Sequence, residues 1–385
     1  MSSVLDLCMA ERTLVVFDEV QNILDDRDCA ASMLQYLVDM IRSDTDSMFV
    51  ICGSPVPFMR DQVLNRHRPL YGRFPFLVEL GPLSVSETRA FHPSLSDADL
   101  LRLYLVLGGV PEHHRRIGDM PYAEVPGRMV TGGDPWFAES IEGNLSAELG
   151  SVSDDAFRIL DSVSSGHDTR RAMMEDTGMG DRRLTRCLKA LTGIGVLRRY
   201  GSVPEARRYR RYAVSDRAVS FHFSVVRRCR SMVPGESRGA VSRYLSRGFE
   251  AYCSDLVMHS YPCERIGSWW GSVPKRDDDG VLLHDGEGRV VMEDVGIDVT
   301  ATLRIGRNRI HLFGDCGYAS GVTGMGALRE LQCKVGLLKG DYNTRFALFS
   351  MSGFDEDLEE YAEEGGVLLF GPGVLTGSEE VPDPS

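Results

Sequence analysis

An apolar run that ends in two adjacent carboxylates, TLVVFDEVQNI at residues 13–23, constrains the fold of this chain more than any other segment. The run is too short for a helix and predicts a buried strand at residues 13–20. Residues 29–42 follow with helical periodicity, and residues 48–52 form a second apolar run. A strand, a helix and a strand without hairpin signals between them predict a parallel α/β layer. We expect a third strand at residues 74–80.

Composition restricts the class of protein. The 385 residues suffice for two or three domains, and 43% are hydrophobic, as in globular proteins. The chain has no run of about 20 apolar residues and no basic-then-apolar leader, so we expect no membrane partner. Its nine cysteines include no CxxC pair. We interpret them as reduced thiols and expect a cytoplasmic protein.

The charge of the chain is unevenly distributed. The net charge is −13, yet the segment from His167 to Arg230 has 15 arginines and one lysine against six acidic residues. A basic segment in an acidic protein indicates local contact with a polyanion. A solvated arginine-rich surface is the alternative interpretation.

The basic segment overlaps a pattern typical of a winged helix-turn-helix. Residues 154–166, 169–179 and 181–200 have helical patterns, and residues 198–214 then alternate like a pair of strands. Arginine side chains suit phosphates and guanine edges, so we expect this region to bind DNA. A rigid spacer that binds no DNA is the alternative. The predicted DNA contacts lie on the third helix and on the strand pair: Arg182, Arg183, Arg186, Arg207, Arg208, Arg210 and Arg211.

Four residues of the first layer have the chemistry of nucleotide hydrolysis. Asp18 lies where a strand should end and is a candidate Mg²⁺ ligand, and Glu19 is a candidate base for water attack on a γ-phosphate. The Ser54 hydroxyl follows the next strand and could sense the same phosphate. Arg73 could act as an arginine finger toward a neighbouring subunit of a homo-oligomer. A solvated carboxylate pair is the alternative.

The segments VVFDEVQNI, ICGSPVPFM, PLYGR, LGPLS and YLVLGGVPEHHRRI, in this order, resemble the archaeal-type AAA+-like ATPase family over roughly residues 10–150. The resemblance implies a P-loop NTPase core followed by a helical lid. It also implies that Asp18 is the Walker B aspartate of an ATP and Mg²⁺ site. Glu19 would then be the catalytic glutamate, and Ser54 would occupy the sensor position.

The phosphate-binding loop of such ATPases, G-x-x-x-x-G-K-[ST], is absent from this sequence. No lysine of the chain follows a glycine; the four are Lys189, Lys275, Lys334 and Lys339. In the family the loop lies upstream of the Walker B strand, so the resemblance implies an incomplete P-loop sheet. A mis-assigned start, a gene fragment and a closed-up remnant are the open explanations. We expect ATP and Mg²⁺ to serve the full-length family, and no productive ATP hydrolysis by this chain.

The C-terminal part carries a second resemblance. GFEAYC, IGSWWGS, GIDVTA and FGDCGYASG resemble domain of unknown function 234, which is similar to restriction endonucleases of the PD-(D/E)xK kind. The resemblance implies that Glu250, Asp298 and Asp315 are catalytic and that Asp298 and Asp315 bind Mg²⁺. The lysine of this pattern belongs two residues after Asp315, where the chain has Gly317. Glycine can neither polarise water nor offset charge, so we expect a degenerate nuclease fold that still binds DNA or a partner. Lys334, on the next predicted helix, is the open substitute.

We therefore predict an α/β protein with four folded regions. The expected function is DNA-associated without ATP hydrolysis. A Mg²⁺-dependent nuclease and a non-enzymatic winged-helix regulator are the rivals, so enzymatic activity stays open. The predicted regions are 1–83, an incomplete P-loop core; 84–150, a helical lid with a loop at 119–135; 151–230, a winged helix; 231–375, a restriction-endonuclease-like domain; and 376–385, a polar tail.

Overall fold

The computed structural model divides into two compact units. One comprises Met1–Gly81 together with Lys189–Ile194, and the other comprises Pro82–Leu188 together with Gly195–Ser385. The structure describes residues 2–25, 29–54, 56–130, 135–202, 211–229, 234–275, 281–318, 321–338, 340 and 342–384. Within these ranges no helix is both long enough and apolar enough to cross a bilayer.

The first unit contains a two-stranded parallel sheet. Its strands are β1 (Leu14–Phe17) and β2 (Met48–Ile51), paired in register along their whole length. Its helices are α1 (Ser2–Ala10), α2 (Gln21–Asp25), α3 (Ala30–Asp44) and α4 (Val56–Leu64). Helix α3 connects the two strands and packs its buried face against them. The predicted parallel α/β layer is confirmed.

The predicted third strand at residues 74–80 is wrong. This segment forms no strand, and the side chains of Phe76, Val78 and Leu80 are 87%, 84% and 90% exposed. The expected burial of β1 is also wrong, since Leu14 is 61% exposed. Apolar composition alone predicted buried strands. A strand also needs a neighbour that accepts its hydrogen bonds and a layer that covers its side chains.

The second unit contains most of the helices. They are α5 (Val85–Thr88), α6 (Asp97–Leu107), α7 (Pro111–Ile117), α8 (Val125–Val130), α9 (Trp136–Leu149), α10 (Ser153–Ser164), α11 (Arg170–Thr177), α12 (Asp181–Gly193), α13 (Arg217–Phe221), α14 (Arg227–Cys229), α15 (Pro234–Ser260), α16 (Met325–Gly336), α17 (Glu356–Glu363) and α18 (Pro372–Thr376). The last residues of α12 belong to the first unit.

Helix α8 corrects the loop predicted at residues 119–135. Val125, Met129 and Val130 are buried on one side of this short helix. Pro126 lies in its first turn, where the ring is tolerated because the missing N–H would have no partner in the helix. Apolar spacing therefore overrides the proline and glycine content that predicted a loop.

A mixed seven-stranded sheet organises the rest of the second unit, and its strand order is β4-β3-β5-β6-β7-β8-β9. The strands are β3 (Leu197–Ser202), β4 (Arg211–Val214), β5 (Cys263–Pro274), β6 (Met292–Ile305), β7 (Asn308–Gly317), β8 (Thr344–Ser350) and β9 (Leu368–Phe370). Strands β3 and β4 are antiparallel, and β3 joins β5 in parallel through the pairs Gly201↔Gly267 and Ser202↔Ser268. The hairpin after α12 is thus continuous with the C-terminal sheet.

Helices α16 and α17 cover this sheet with a shared apolar cluster. Trp269 of β5, Phe313 of β7, Leu331 of α16 and Leu358 of α17 are buried in it. Trp270 instead lies beneath the guanidinium of Arg211, whose carbon is 4.3 Å from the ring centroid.

A partly buried carboxylate joins helix α15 to two other elements. Asp255 of α15 accepts hydrogen bonds from Arg198 of β3 and Arg217 of α13. The side chain of Arg217 is only 9% exposed. Removal of one carboxylate would leave two guanidinium groups without their partner, which is costly in a protein interior.

We expect Asp255→Ala to lower the free energy of unfolding by about 3 kcal/mol. Chemical denaturation followed by tryptophan fluorescence measures this, because all three tryptophans lie in the second unit. Glu112→Ala is the matched control, since it removes the ion pairs of one exposed carboxylate with Arg115 and Arg116. It should cause no measurable change. Equal losses in the two variants would contradict a structural role for Asp255.

Candidate active site and basic groove

Three predicted nucleotide-site residues meet where β1 and β2 end. The Ser54 hydroxyl donates a hydrogen bond to Glu19 Oε1 at 2.9 Å, and the Gln21 amide also donates to Glu19. The bonds from Gln21 and then Ser54 lower the pKa of Glu19. The Glu19 N–H donates to Asp18 Oδ1 at 3.0 Å. Asp18, Glu19 and Ser54 therefore lie together at one sheet edge.

The backbone at Glu19 is strained. Its φ is +48°, and no other non-glycine residue in the described ranges has a positive φ. This left-handed conformation costs a residue with a Cβ free energy, and such strain concentrates at functional sites. The strain supports a functional origin for the carboxylate pair.

Arg73 does not join these residues. Its Nε lies 2.9 Å from Asp39 Oδ1 and its Nη2 lies 3.0 Å from Asp39 Oδ2. Its Nη1 donates to the Tyr71 carbonyl at 3.1 Å. Action as an arginine finger would require these internal bonds to break, so nothing in the first unit favours that role.

The predicted nuclease acids lie together in the second unit. The antiparallel ladder of β6 and β7 extends to the pair Val299↔Gly314, and Asp298 and Asp315 are the next residue on each strand. Asp298 Oδ2 accepts the Cys316 N–H at 2.9 Å. Burial, and then the charge of Asp298, raises the pKa of Glu250 on α15 to about 7. Burial also raises the pKa of Asp298.

Lys334 of α16 reaches this group of acids. Its Nζ lies 2.6 Å from Asp315 Oδ2 and 3.1 Å from Glu330 Oε1. Burial disfavours the ammonium, but the hydrogen bond to Asp315 and the remaining carboxylate contacts raise the pKa of Lys334. The structure thus places a lysine beside the second acid of the predicted pattern.

Gly317 occupies the position at which that pattern has its lysine. A Cβ at this position would lie 3.1 Å from Thr323 Oγ1 and 3.5 Å from the Phe349 carbonyl. A lysine would therefore be crowded there. The sequence of α16 does indicate that Lys334 lies on its inner face. Leu328, Leu331 and Lys334 recur at a three-residue spacing, and both leucines are buried.

Asp298 and Asp315 fit a magnesium ion. Asp315 Oδ1 is buried and has no hydrogen-bond partner in the described part of the chain. It is the carboxylate oxygen that Lys334 leaves free. Within the described residues no set of three or more His, Cys, Asp or Glu side chains could hold an ion. Mg²⁺ does not need such a set, because it is commonly bound by one or two carboxylates, waters and substrate phosphates.

A groove of about 1040 Å³ is lined in part by Glu250 and Asp298. Arg199 of the β3–β4 hairpin and Trp270 of β5 line one part of it. Arg243 and Arg247 of α15 line another, and the groove continues to Glu250 and Asp298. We name this cavity the basic groove.

The predicted DNA-binding arginines are only partly available. Arg182 and Arg186 are exposed on α12, outside the basic groove. Arg183 is paired with the buried Asp155, and Arg211 lies 3.1 Å from Asp168 while covering Trp270. Three further predicted contacts fall outside the described residues: Arg207, Arg208 and Arg210.

Sequence reasoning missed Arg243 and Arg247. Both precede Glu250 on an amphipathic helix, at spacings that place all three on one face. The charge count between His167 and Arg230 stopped short of them.

Comparison with known proteins finds distant similarity. No family model matches the chain. An uncharacterized protein of Methanocaldococcus jannaschii is 21% identical over 297 residues, which are 73% of this chain and 67% of the relative. A Walker-type ATPase of Pyrococcus abyssi matches 58% of this chain and 66% of its own at a TM-score of 0.41 and 17% identity. A protein of Vibrio cholerae matches 97% of this chain and 92% of its own, at a TM-score of 0.26 and 11% identity.

The chain spans about two thirds of the length of the first two of these relatives. Both TM-scores lie below 0.5, so neither similarity assigns a fold. The functional argument therefore rests on the geometry of the chain itself.

The strain at Glu19 generates a prediction for the first unit. Asparagine tolerates the left-handed region better than glutamate, so Glu19→Asn should slow amide exchange of Val20 and Cys52 several-fold. These amides donate to Cys52 O and Phe17 O between the strand ends. Hydrogen–deuterium exchange measures the change. Glu11→Asn, at an exposed residue of ordinary φ, is the control, and faster exchange in Glu19→Asn would show that the side-chain bonds outweigh the strain.

Proposed function

We propose that this chain hydrolyses phosphodiester bonds of DNA at Glu250, Asp298, Asp315 and Lys334. The contact of 2.6 Å between Lys334 Nζ and Asp315 Oδ2 carries the proposal. It supplies the lysine that the sequence pattern lacks at Gly317. Acidic residues on neighbouring strands beside a lysine form the combination that metal-assisted phosphodiester hydrolysis requires.

Each side chain has a role that follows from its position. Asp298 and Asp315 would hold Mg²⁺, which supplies Lewis-acid polarisation of the scissile phosphate when bound. Lys334 offsets negative charge on Asp315 and has an ammonium that can donate to a phosphate oxygen. Glu250 lies near the same carboxylates from α15 and is placed to orient a water molecule.

Two fold assignments accompany this proposal. Three helices followed by the antiparallel pair β3 and β4 support a winged helix at residues 153–214. Strands β6, β7 and β8 with helix α16 support a restriction-endonuclease-like arrangement of the acids. The winged helix is proposed here as the scaffold of the basic groove.

We assign no ATP hydrolysis to this chain. Asp18, Glu19 and Ser54 lie together, which supports a relationship to P-loop NTPases. No lysine of the sequence lies in a glycine-rich phosphate-binding loop. Three side chains at a sheet edge lack the backbone amides and lysine that hold the nucleotide phosphates.

Nicking of supercoiled plasmid in the presence of Mg²⁺ tests the proposed function. Asp298→Asn and Lys334→Met should each reduce the nicking rate by roughly 100-fold or more, since a metal ligand or a charge-stabilising group is lost. Lys275→Met is the matched control, because this lysine is exposed at the end of β5 and should be dispensable. Nicking that persists in Asp298→Asn, or is absent from the wild-type chain, would overturn the proposal.

A further inference from the structure

We propose that Arg243 and Arg247 of α15 bind the phosphodiester backbone of a nucleic-acid strand and guide it to Glu250 and Asp298. The inference rests on the proposed function and names the surface that would bind its substrate. The main phosphate contacts would then lie on α15, and not on α12, the third helix of the predicted winged helix.

The helix geometry aligns these side chains. Arg243, Arg247 and Glu250 are spaced by four and three residues and therefore lie on one face. At 1.5 Å per residue, the two arginines begin about 6 Å apart and Glu250 lies about 4.5 Å farther along the axis. A nucleic-acid strand carries one phosphate per about 3.4 Å of duplex axis, so two arginines about 6 Å apart could contact phosphates about two steps apart.

Residues that flank this row on α15 are packed into the protein. Tyr244, Phe249 and Cys253 are buried. The Tyr244 hydroxyl donates to the Leu105 carbonyl at 2.9 Å and the Arg217 carbonyl at 3.0 Å. This anchoring holds the arginine row at the wall of the basic groove.

Charge pairing distinguishes Arg243 and Arg247 from three of the other arginines that line the groove. Arg198 and Arg217 are paired with Asp255, and Arg211 is paired with Asp168. Arg243 and Arg247 are exposed, and neither forms a salt bridge with a described residue. An external anion could therefore bind them without breaking an ion pair with a described residue.

The shape of the groove favours a polymer over a small anion. It extends from the β3–β4 hairpin past Trp270 to the acids, and its volume of about 1040 Å³ exceeds that of most small-ligand sites. Cations along its length with carboxylates at its end suit a backbone that is held by several phosphates and cut at one. A single phosphate ion would not need cations at several positions along the groove.

Fluorescence anisotropy with labelled 20-nucleotide DNA tests the inference without turnover, in buffer free of divalent cations. The same sequence is used as a single strand and as a duplex, over a series of salt concentrations. Arg243→Glu/Arg247→Glu should weaken binding at least tenfold. It should also reduce the salt dependence of the duplex by about 1.8 in log–log slope, or about 0.9 for each lost phosphate contact.

Arg182→Glu/Arg186→Glu is the matched control, because it makes the same charge change on α12. It should alter affinity less than threefold. Arg243→Gln/Arg247→Gln, checked by thermal unfolding, guards against loss of folding and should show an intermediate loss of affinity. Equal effects of the two charge-reversal pairs, or no binding by the wild-type chain, would overturn the inference.

The outcomes separate this inference from the proposed nuclease. Binding that depends on Arg243 and Arg247 without plasmid nicking would support the groove and remove the nuclease. Nicking that survives Arg243→Glu/Arg247→Glu at unchanged affinity would support the nuclease and overturn the groove. Preference for single strand or duplex identifies which form of the backbone binds.

Discussion

The antiparallel ladder between β6 and β7 is the constraint on which the candidate active site depends. It places Asp298 and Asp315 next to each other on adjacent strands, and the Asp298 carboxylate is held there by the hydrogen bond that it accepts from the Cys316 N–H. Adjacent carboxylates in a partly buried position repel each other unless a cation or a proton compensates. Lys334 compensates Asp315 from α16, while burial, and then the charge of Asp298, raises the pKa of Glu250 to about 7. The site therefore combines an internal cation with room for an external one.

The sequence predicted much of the second unit and less of the first. Apolar patterns mark β6, β7, α16 and β8 in the sequence, since each has apolar residues at strand or helical spacing. They missed β5, whose mixture of glycine, serine and charged residues forms a strand only because β3 and β6 pair with it. In the first unit, residues 74–80 are as apolar as a strand but have no strand partner. Whether β5 and residues 74–80 form strands depends on pairing with distant segments of the chain, which local composition does not encode.

The candidate site, like the fold, was predicted only in part from the sequence. The three acids were identified from motifs. In the structure Asp298 and Asp315 are adjacent on neighbouring strands, and the charges of both act on Glu250 of α15. The sequence left the contribution of Lys334 open, because a lysine on a helix is usually solvated. Only its spacing from two buried leucines placed it on the inner face of α16. The sequence analysis also overestimated how many arginines are free to contact DNA or a phosphate. Arg73, Arg183 and Arg211 all have internal carboxylate partners, which no local pattern reveals.

Binding of a divalent cation tests the central claim most directly, because it does not depend on turnover or on the identity of the nucleic acid. Isothermal titration of Mg²⁺, with Mn²⁺ as a second probe, into the wild-type chain and into Asp315→Asn compares the site with and without one carboxylate. The account predicts one binding site in the wild-type chain, lost or weakened at least tenfold in Asp315→Asn. Equal affinity and stoichiometry in the two proteins would contradict it.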